Sequence, residues 1–352
     1  MVIIEDLDFI MRKLATIRKI DQLLPIEGAD AIECAVVGGW KVVAQKGLYK
    51  EGDLAVYFEI DSWIPTELAA FLSKGKEPRE FEGVKGERLR TIKLRGQLSQ
   101  GLLIPIAEIM KLQHVDGSTF YVEEGADATE FLGILKWEKP MNAQLAGLAR
   151  GNFPSLIPKT DQERVQNLTK EVNAAIESRI RFEVTEKLEG SSMTVYMIEG
   201  EFGVCSRNLD LKETEGNSFW ATARRDAIEE KMRAVDEFWS FAIQGELIGP
   251  GIQGNIYKLS QPEFRVFDIY DIQTGTYINP GERRALIERM GLQHVPVLSS
   301  FQMLMPVEQL LTLAEGKSAL NEKQEREGIV FKEVSGGMSL KAISNVYLLG
   351  EK

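Results

Sequence analysis

Short apolar runs broken by glycine-centred turns fill the first third of the chain. Residues 13–20 read as a strand, and 32–45 hold two apolar runs joined at Gly38-Gly39, a dipeptide suited to a tight hairpin turn. The polar turn Lys50-Glu51-Gly52-Asp53 leads into the alternating run LAVYFEI; residues 65–73 look helical, and LRTIKLRGQLSQGLLIPI supplies further strands. About five short strands with glycine turns predict a small β-barrel. The OB fold is the natural candidate, although other small barrels share the pattern.

From residue 118 to 160 the periodicity fades, and Gly147, Gly151, Pro154 and Pro158 mark loops. Thr160-Asp161-Gln162-Glu163 then reads as a capping box, and Val165, Leu168, Val172 and Ile176 follow at helical spacing, which predicts a helix ending near Ser178. Beyond it the pattern predicts strands at 181–185, 194–198, 202–206, 241–248, 264–272, 328–334 and 339–348, with helices at 218–235, 280–290 and 307–314. No internal repeat is visible. The expected class is α+β, with mostly antiparallel strands in this second part.

Composition narrows the setting. A chain of 352 residues suits two domains, and 44% hydrophobic with 27% charged residues are values of a soluble globular protein. No apolar run is long enough to span a bilayer, so no membrane association is expected. Acids stand near the N-terminus where a secretory signal needs a basic start. Cys34 and Cys205 lie too far apart for a CxxC site or a disulfide framework, so a cytoplasmic or otherwise intracellular location is expected. His114 and His294, the two histidines, give little scope for a His-rich zinc site or Ser-His-Asp chemistry, and neither is assigned a role. A net charge of −11 argues against nonspecific coating of nucleic acid. Yet Lys85–Arg95 (KGERLRTIKLR) holds five basic residues and one acid, which suits either a local basic groove or the solvated face of a hairpin.

The segment with most chemistry in it is VTEKLEGSSMTVY, where Lys187 leaves a strand end and Gly190 follows three residues later. K-x-x-G alone is common by chance. Its company changes the odds: Cys-Ser-Arg207-Asn, GELIGPGIQ around Glu246, FRVFDIYD around Phe267, Glu327-Gly-Ile-Val-Phe-Lys332 and Ser-Leu-Lys341-Ala-Ile-Ser follow in order. The series resembles motifs I, Ia, III, IIIa, IV and V of the covalent nucleotidyltransferases, which include ATP-dependent DNA and RNA ligases and mRNA capping enzymes. GELIGPGIQ followed by FDI, the lead-in FPSLIPKTDQERVQNL and the barrel placed first resemble the RNA ligases that carry an OB domain ahead of the nucleotidyltransferase domain. DNA ligases and capping enzymes place such a domain after motif V, whereas eleven residues follow Lys341 here.

The resemblance implies an OB-like nucleic-acid-binding domain at 1–125, a linker at 126–155 and an antiparallel-sheet, ATP-grasp-like adenylyltransferase domain at 156–352. It implies an ATP-dependent RNA ligase that forms AMP on Lys187 and joins 3′-OH to 5′-phosphate ends of RNA, at a nick or a broken strand, in RNA repair. A monomer is expected. Lys332 and Lys341 are expected to converge on Lys187 and the α-phosphate, lowering the pKa of the amine and neutralising charge. Glu189, Glu246 and Glu327 would hold Mn²⁺ or Mg²⁺ through waters, with Glu246 alternatively on the ribose hydroxyls. Many relatives have Asp where Glu189 stands. Phe267 would stack on adenine, with core packing as the alternative; Glu186, Arg207 and Arg164 complete the nucleotide-binding set. Ile343 stands where a second motif V lysine is often found. The rival readings are a DNA ligase, a capping-type guanylyltransferase and a noncatalytic OB-type RNA-binding protein.

Overall fold

The computed structural model describes residues 12–111, 122–138, 147–236 and 239–350. The chain divides into two compact units, Met1–Lys139 and Pro140–Lys352. His114 lies outside the described residues.

The first unit is built from short antiparallel strands. Leu54–Phe58 pairs with Ala15–Lys19 on one side and Leu102–Pro105 on the other. Gln22–Pro25, Ile32–Val37 and Trp40–Gln45 form a meander that turns at Gly38 as expected. Leu14, Val56, Phe58, Ile64, Leu89, Ile104 and Ile134 form the core. The helical stretch is brief, α-helical at Thr66–Ala69 and 3-10 at Ala70–Ser73. The basic run is not one surface. Arg88 pairs with Asp61 at 2.5 Å and lies 3.8 Å over the Trp137 ring, whereas Lys93 and Arg95 are exposed on the hairpin Ile92–Leu94/Gln97–Ser99.

The second unit stacks two sheets. The first is ordered, by strand, Glu163–Arg164, Ser339–Ile343, Gly328–Glu333, Arg181–Lys187 and Val297–Gln302. The second runs Ala149–Asn152, Leu209–Leu211, Glu201–Cys205, Ser191–Ile198, Phe241–Ile248, Glu263–Asp271 and Thr276–Tyr277, with Gln293–His294 alongside. Side chains alternate across each strand. One face of the first sheet buries Phe182, Val184, Ile329, Phe331, Leu340 and Ala342 under the helices Thr169–Glu177 and Val307–Ala314. One face of the second buries Met193, Val195, Phe241, Ile243 and Leu247 under helices that carry Trp220, Met232 and Ile287. The remaining face of the first sheet carries Glu183, Lys187, Lys332 and Lys341, and that of the second carries Glu246 and Gln244 beside an apolar cluster of Tyr196, Cys205 and Ala242.

Three sequence expectations change. Thr160–Glu163 is not a capping box: Glu163–Arg164 joins the first sheet in parallel with Leu340 and Lys341, and the helix begins only at Thr169. The helix expected at 218–235 is two, Ser218–Arg225 and Ile228–Val235, broken at Ala227 with φ of 49°. The last strand stops at Ile343, and Asn345–Gly350 is a helix whose first amides bond to Glu315. Among the described residues, no helix is long and apolar enough to cross a membrane.

Candidate active site

Lys187 ends its strand on the polar face of the first sheet, in line with Glu183 and Thr185. Gly190 closes the turn that follows; a Cβ there would lie 2.4 Å from the Leu247 carbonyl oxygen and 2.8 Å from the Glu246 side chain. This close approach brings motif I onto the strand of Glu246. The Glu189 amide donates to the Tyr257 hydroxyl at 2.6 Å, and Gln253 donates to the Gly190 carbonyl at 3.2 Å, so the loop after Glu246 braces the turn from both sides.

Lys187 Nζ lies 2.5 Å from Glu327 Oε1. Burial by itself would lower the pKa of this ammonium, but Glu327, Glu246 and then Asp161 outweigh it and leave it raised. This departs from the expectation that lysines would surround Lys187 and depress it. Burial, moderated by Lys187 and reinforced by Glu327, pushes the Glu246 carboxyl up to about 8.

The two other lysines stand apart. Lys332 lies opposite Glu183, four positions back along the strand from Lys187, and is buried. Its ammonium pairs with Asp268, donates to the Phe267 carbonyl at 2.8 Å and sits 5.3 Å from the Phe267 ring centre. Burial lowers its pKa to about 8 against the pull of Asp268. Lys332 therefore serves the Phe267 end of the site rather than converging on Lys187. Lys341 is bonded to Asp161 at 3.3 Å, and the other oxygen of that carboxylate accepts from Arg207 at 2.9 Å.

Phe267 sits at a bulge. Gln244 pairs with Asp268 and Gly245 with Val266, so Phe267 is the extra residue: Phe264 and Val266 before it and Ile269 after it enter the apolar core, while Phe267 and Asp268 both face away from it. It packs instead with Leu188, Ile248, Tyr257 and Val295 beside motif I. Gly245 permits the bulge, since a Cβ would lie 2.4 Å from the Arg265 carbonyl oxygen. Glu186 is buried; one oxygen accepts from the Ala319 amide at 2.7 Å, and the other is buried with no hydrogen-bond partner. Burial raises its pKa, opposed by Ser318 and Ala319. Arg164 is buried beside Lys341 on the parallel strand pair.

The structure thus brings Lys187, Glu327 and Glu246 together at one point, Arg207 and Lys341 around Asp161, and Phe267 with Lys332 at a third. Sequence reading missed Asp161, Tyr257, Asp268 and Arg283. Arg283 is almost wholly buried and bridges Glu183 and Asp268, with His294 accepting from its Nε at 3.2 Å. Asp161 and Asp268 adjoin segments already singled out; Tyr257 and Arg283 carry no local signal.

Among the described residues, no group of three His, Cys, Asp or Glu side chains is close enough to ligate a metal directly. The carboxylates of Glu327 and Glu189 nonetheless raise the proton affinity of Glu246. That donor chemistry fits a hard divalent cation held through its waters.

A lysine at a strand end, carboxylates from separate segments and a bulged aromatic, set between two stacked sheets, define the class as a covalent nucleotidyltransferase. The family model for RNA ligases matches residues 180–343, and a model described as an OB-fold domain matches 14–106. The chain is similar over its whole length to solved structures of Naegleria gruberi RNA ligase. A mutant with ATP and Mn is 45% identical, with 96% of this chain and 99% of that one covered at a TM-score of 0.88. The form with PPi is 46% identical, with 96% and 98% covered at 0.88, and a mutant with AMP and Mn is 45% identical, with 97% and 99% covered at 0.89. No curated protein sequence matches. The chain belongs to the RNA ligase family, so it is an enzyme whose substrate is RNA, with an OB-fold region ahead of its ligase domain.

Proposed function

We propose that this RNA ligase is ATP-dependent, with Lys187 as its nucleophile. The Lys187 amine attacks the α-phosphorus of ATP; an N–P bond forms, the P–O bond to pyrophosphate breaks, and the nitrogen loses a proton. AMP then passes from the lysine to a 5′-phosphate end, and a 3′-hydroxyl displaces it to close the strand. Covalent activation splits one difficult condensation into easier displacements. The carrying observation is Lys187 at 2.5 Å from Glu327, on the face shared with Glu246.

Each residue has a task. Phe267 stacks on adenine, and Glu186, next to the nucleophile in the chain, belongs to the nucleotide-binding set. Arg207, Lys341 and Arg164 bind phosphate. Glu189, Glu246 and Glu327 would hold a Mn²⁺ or Mg²⁺ ion through waters. When bound, the cation supplies positive charge that offsets the field of these carboxylates on Lys187. Glu327 keeps the amine aimed until then, since a lysine is a nucleophile only when neutral and its ordinary pKa is about 10.4. The substrates are RNA ends bearing 3′-OH and 5′-phosphate, and the enzyme acts as a monomer.

ATP labelled at the α-phosphate tests the assignment. The wild type is expected to yield an acid-labile, alkali-stable protein–AMP adduct, and Lys187→Ala none; label retained by the variant would reject Lys187. Matched nicks differing only in an RNA or DNA 3′-OH strand test the substrate: sealing at equal rates would remove the RNA preference.

A further inference from the structure

The stretch ahead of the matched ligase domain is laced along one hairpin of that domain. Ala149–Asn152 pairs with Leu209–Leu211, and the Lys212 amide donates to the Leu148 carbonyl at 2.7 Å. Arg150 binds Asp210 at 2.7 and 2.9 Å and also contacts the Tyr196 hydroxyl, which itself donates to Asp210 at 3.0 Å. The Phe153 amide donates to the Asn208 carbonyl at 3.0 Å, and Lys159 donates to the Asn208 side chain at 2.9 Å. Asp161 comes next, bridging Arg207 and Lys341, and Arg164 then enters the sheet beside Lys341. The contacts descend the hairpin in order, from Lys212 through Asp210 and Asn208 to Arg207.

We propose that Asp161 is a positioning residue for nucleotidyl transfer, holding Arg207 and Lys341 at a fixed spacing so that they act on one phosphoryl group together. This rests on the phosphate-binding role given to those two cations above. Arg207 stands on a turn and its side chain is nearly half exposed, so without a partner it would sample many rotamers. Lys341 comes from a different sheet. A carboxylate with one oxygen on each cation is the simplest link between two sheets whose cations must converge. The ordered ties from Leu148 to Lys159 deliver Asp161 to that point. The lead-in segment is therefore part of the catalytic machinery, although it lies outside residues 180–343 that match the ligase model.

The test compares Asp161→Asn, Asp161→Glu, Arg207→Ala and the double variant Asp161→Asn/Arg207→Ala in the full chain. Lysyl-AMP formation is measured at varied ATP, with thermal unfolding as a check on folding. Asp161→Asn is expected to slow the reaction at saturating ATP roughly 10- to 100-fold, as displaced catalytic groups do, with a much smaller change in KM. Asp161→Glu is expected to recover part of the rate. In the Arg207→Ala background the Asn substitution is expected to cost less than about threefold more, because coupled groups are non-additive. Independent, multiplying losses would overturn the proposal, as would an Asp161→Asn enzyme that binds ATP more tightly and reacts as fast, which would make the carboxylate a competing anion. Either result leaves the lysyl-AMP assignment standing, since that fails only if the wild type forms no adduct or Lys187→Ala keeps it.

Discussion

Burial drives Glu246 up and Lys332 down to about the same value, 8, because each charged form is costly in the same partly dry site. His294 shows the same force without a catalytic task. Burial, with the Arg283 guanidinium next to it, lowers its pKa to about 4. Its Nδ1 faces the Val295 carbonyl at 2.6 Å and Nε2 accepts from Arg283, an arrangement only the neutral ring supports. A folded-state pKa below the unfolded value gives stability that is present above about 6.5 and lost as pH falls through about 4. A shift of this size corresponds to up to about 3 kcal/mol. Denaturant unfolding from pH 7 to pH 4 is therefore expected to show the wild type losing more stability than His294→Gln; parallel curves would refute the linkage. The contact of His294 with Arg283 was not legible in the sequence, for Arg283 is itself held by Glu183, 100 positions away along the chain.

Strand positions were legible wherever apolar alternation was regular, as in Phe241–Ile248 and Gly328–Glu333. Alternation breaks between Phe267 and Asp268, because the bulge opposite Gly245 adds one residue and leaves both side chains on one face. Gly245→Ala is expected to destabilise the domain by about 1–3 kcal/mol, since its Cβ must push back the Arg265 carbonyl in a packed sheet. The same variant is expected to raise the KM for ATP in adduct formation by moving Phe267. Unchanged unfolding and unchanged KM would show that the strand relaxes freely. The capping-box pattern at Thr160 yielded to the sheet edge, where Glu163–Arg164 pairs with Leu340 and Lys341.

Every candidate site residue falls in the second compact unit. A fragment spanning 140–352 is accordingly expected to form the protein–AMP adduct from α-labelled ATP while sealing RNA poorly for want of the OB-fold region. A fragment of 180–343 alone is expected to form much less adduct, since it lacks Asp161 and the ties that hold Arg207. Equal adduct from both fragments would show that the lead-in segment contributes nothing to the first step.

The sequence by itself determined the class of structure, the order of the motifs and the lysine proposed as the nucleophile. Those depend on local periodicity and on short stretches whose residues are neighbours in the chain. Which charges meet was decided only by the tertiary structure. Lys332 sits with Phe267 and Asp268, Lys341 with Arg207 and Asp161, and Lys187 with Glu327, because sheet register and one bulge set those distances. Electrostatic interaction depends on separation and burial in space, and neither is written in the spacing of residues along a chain.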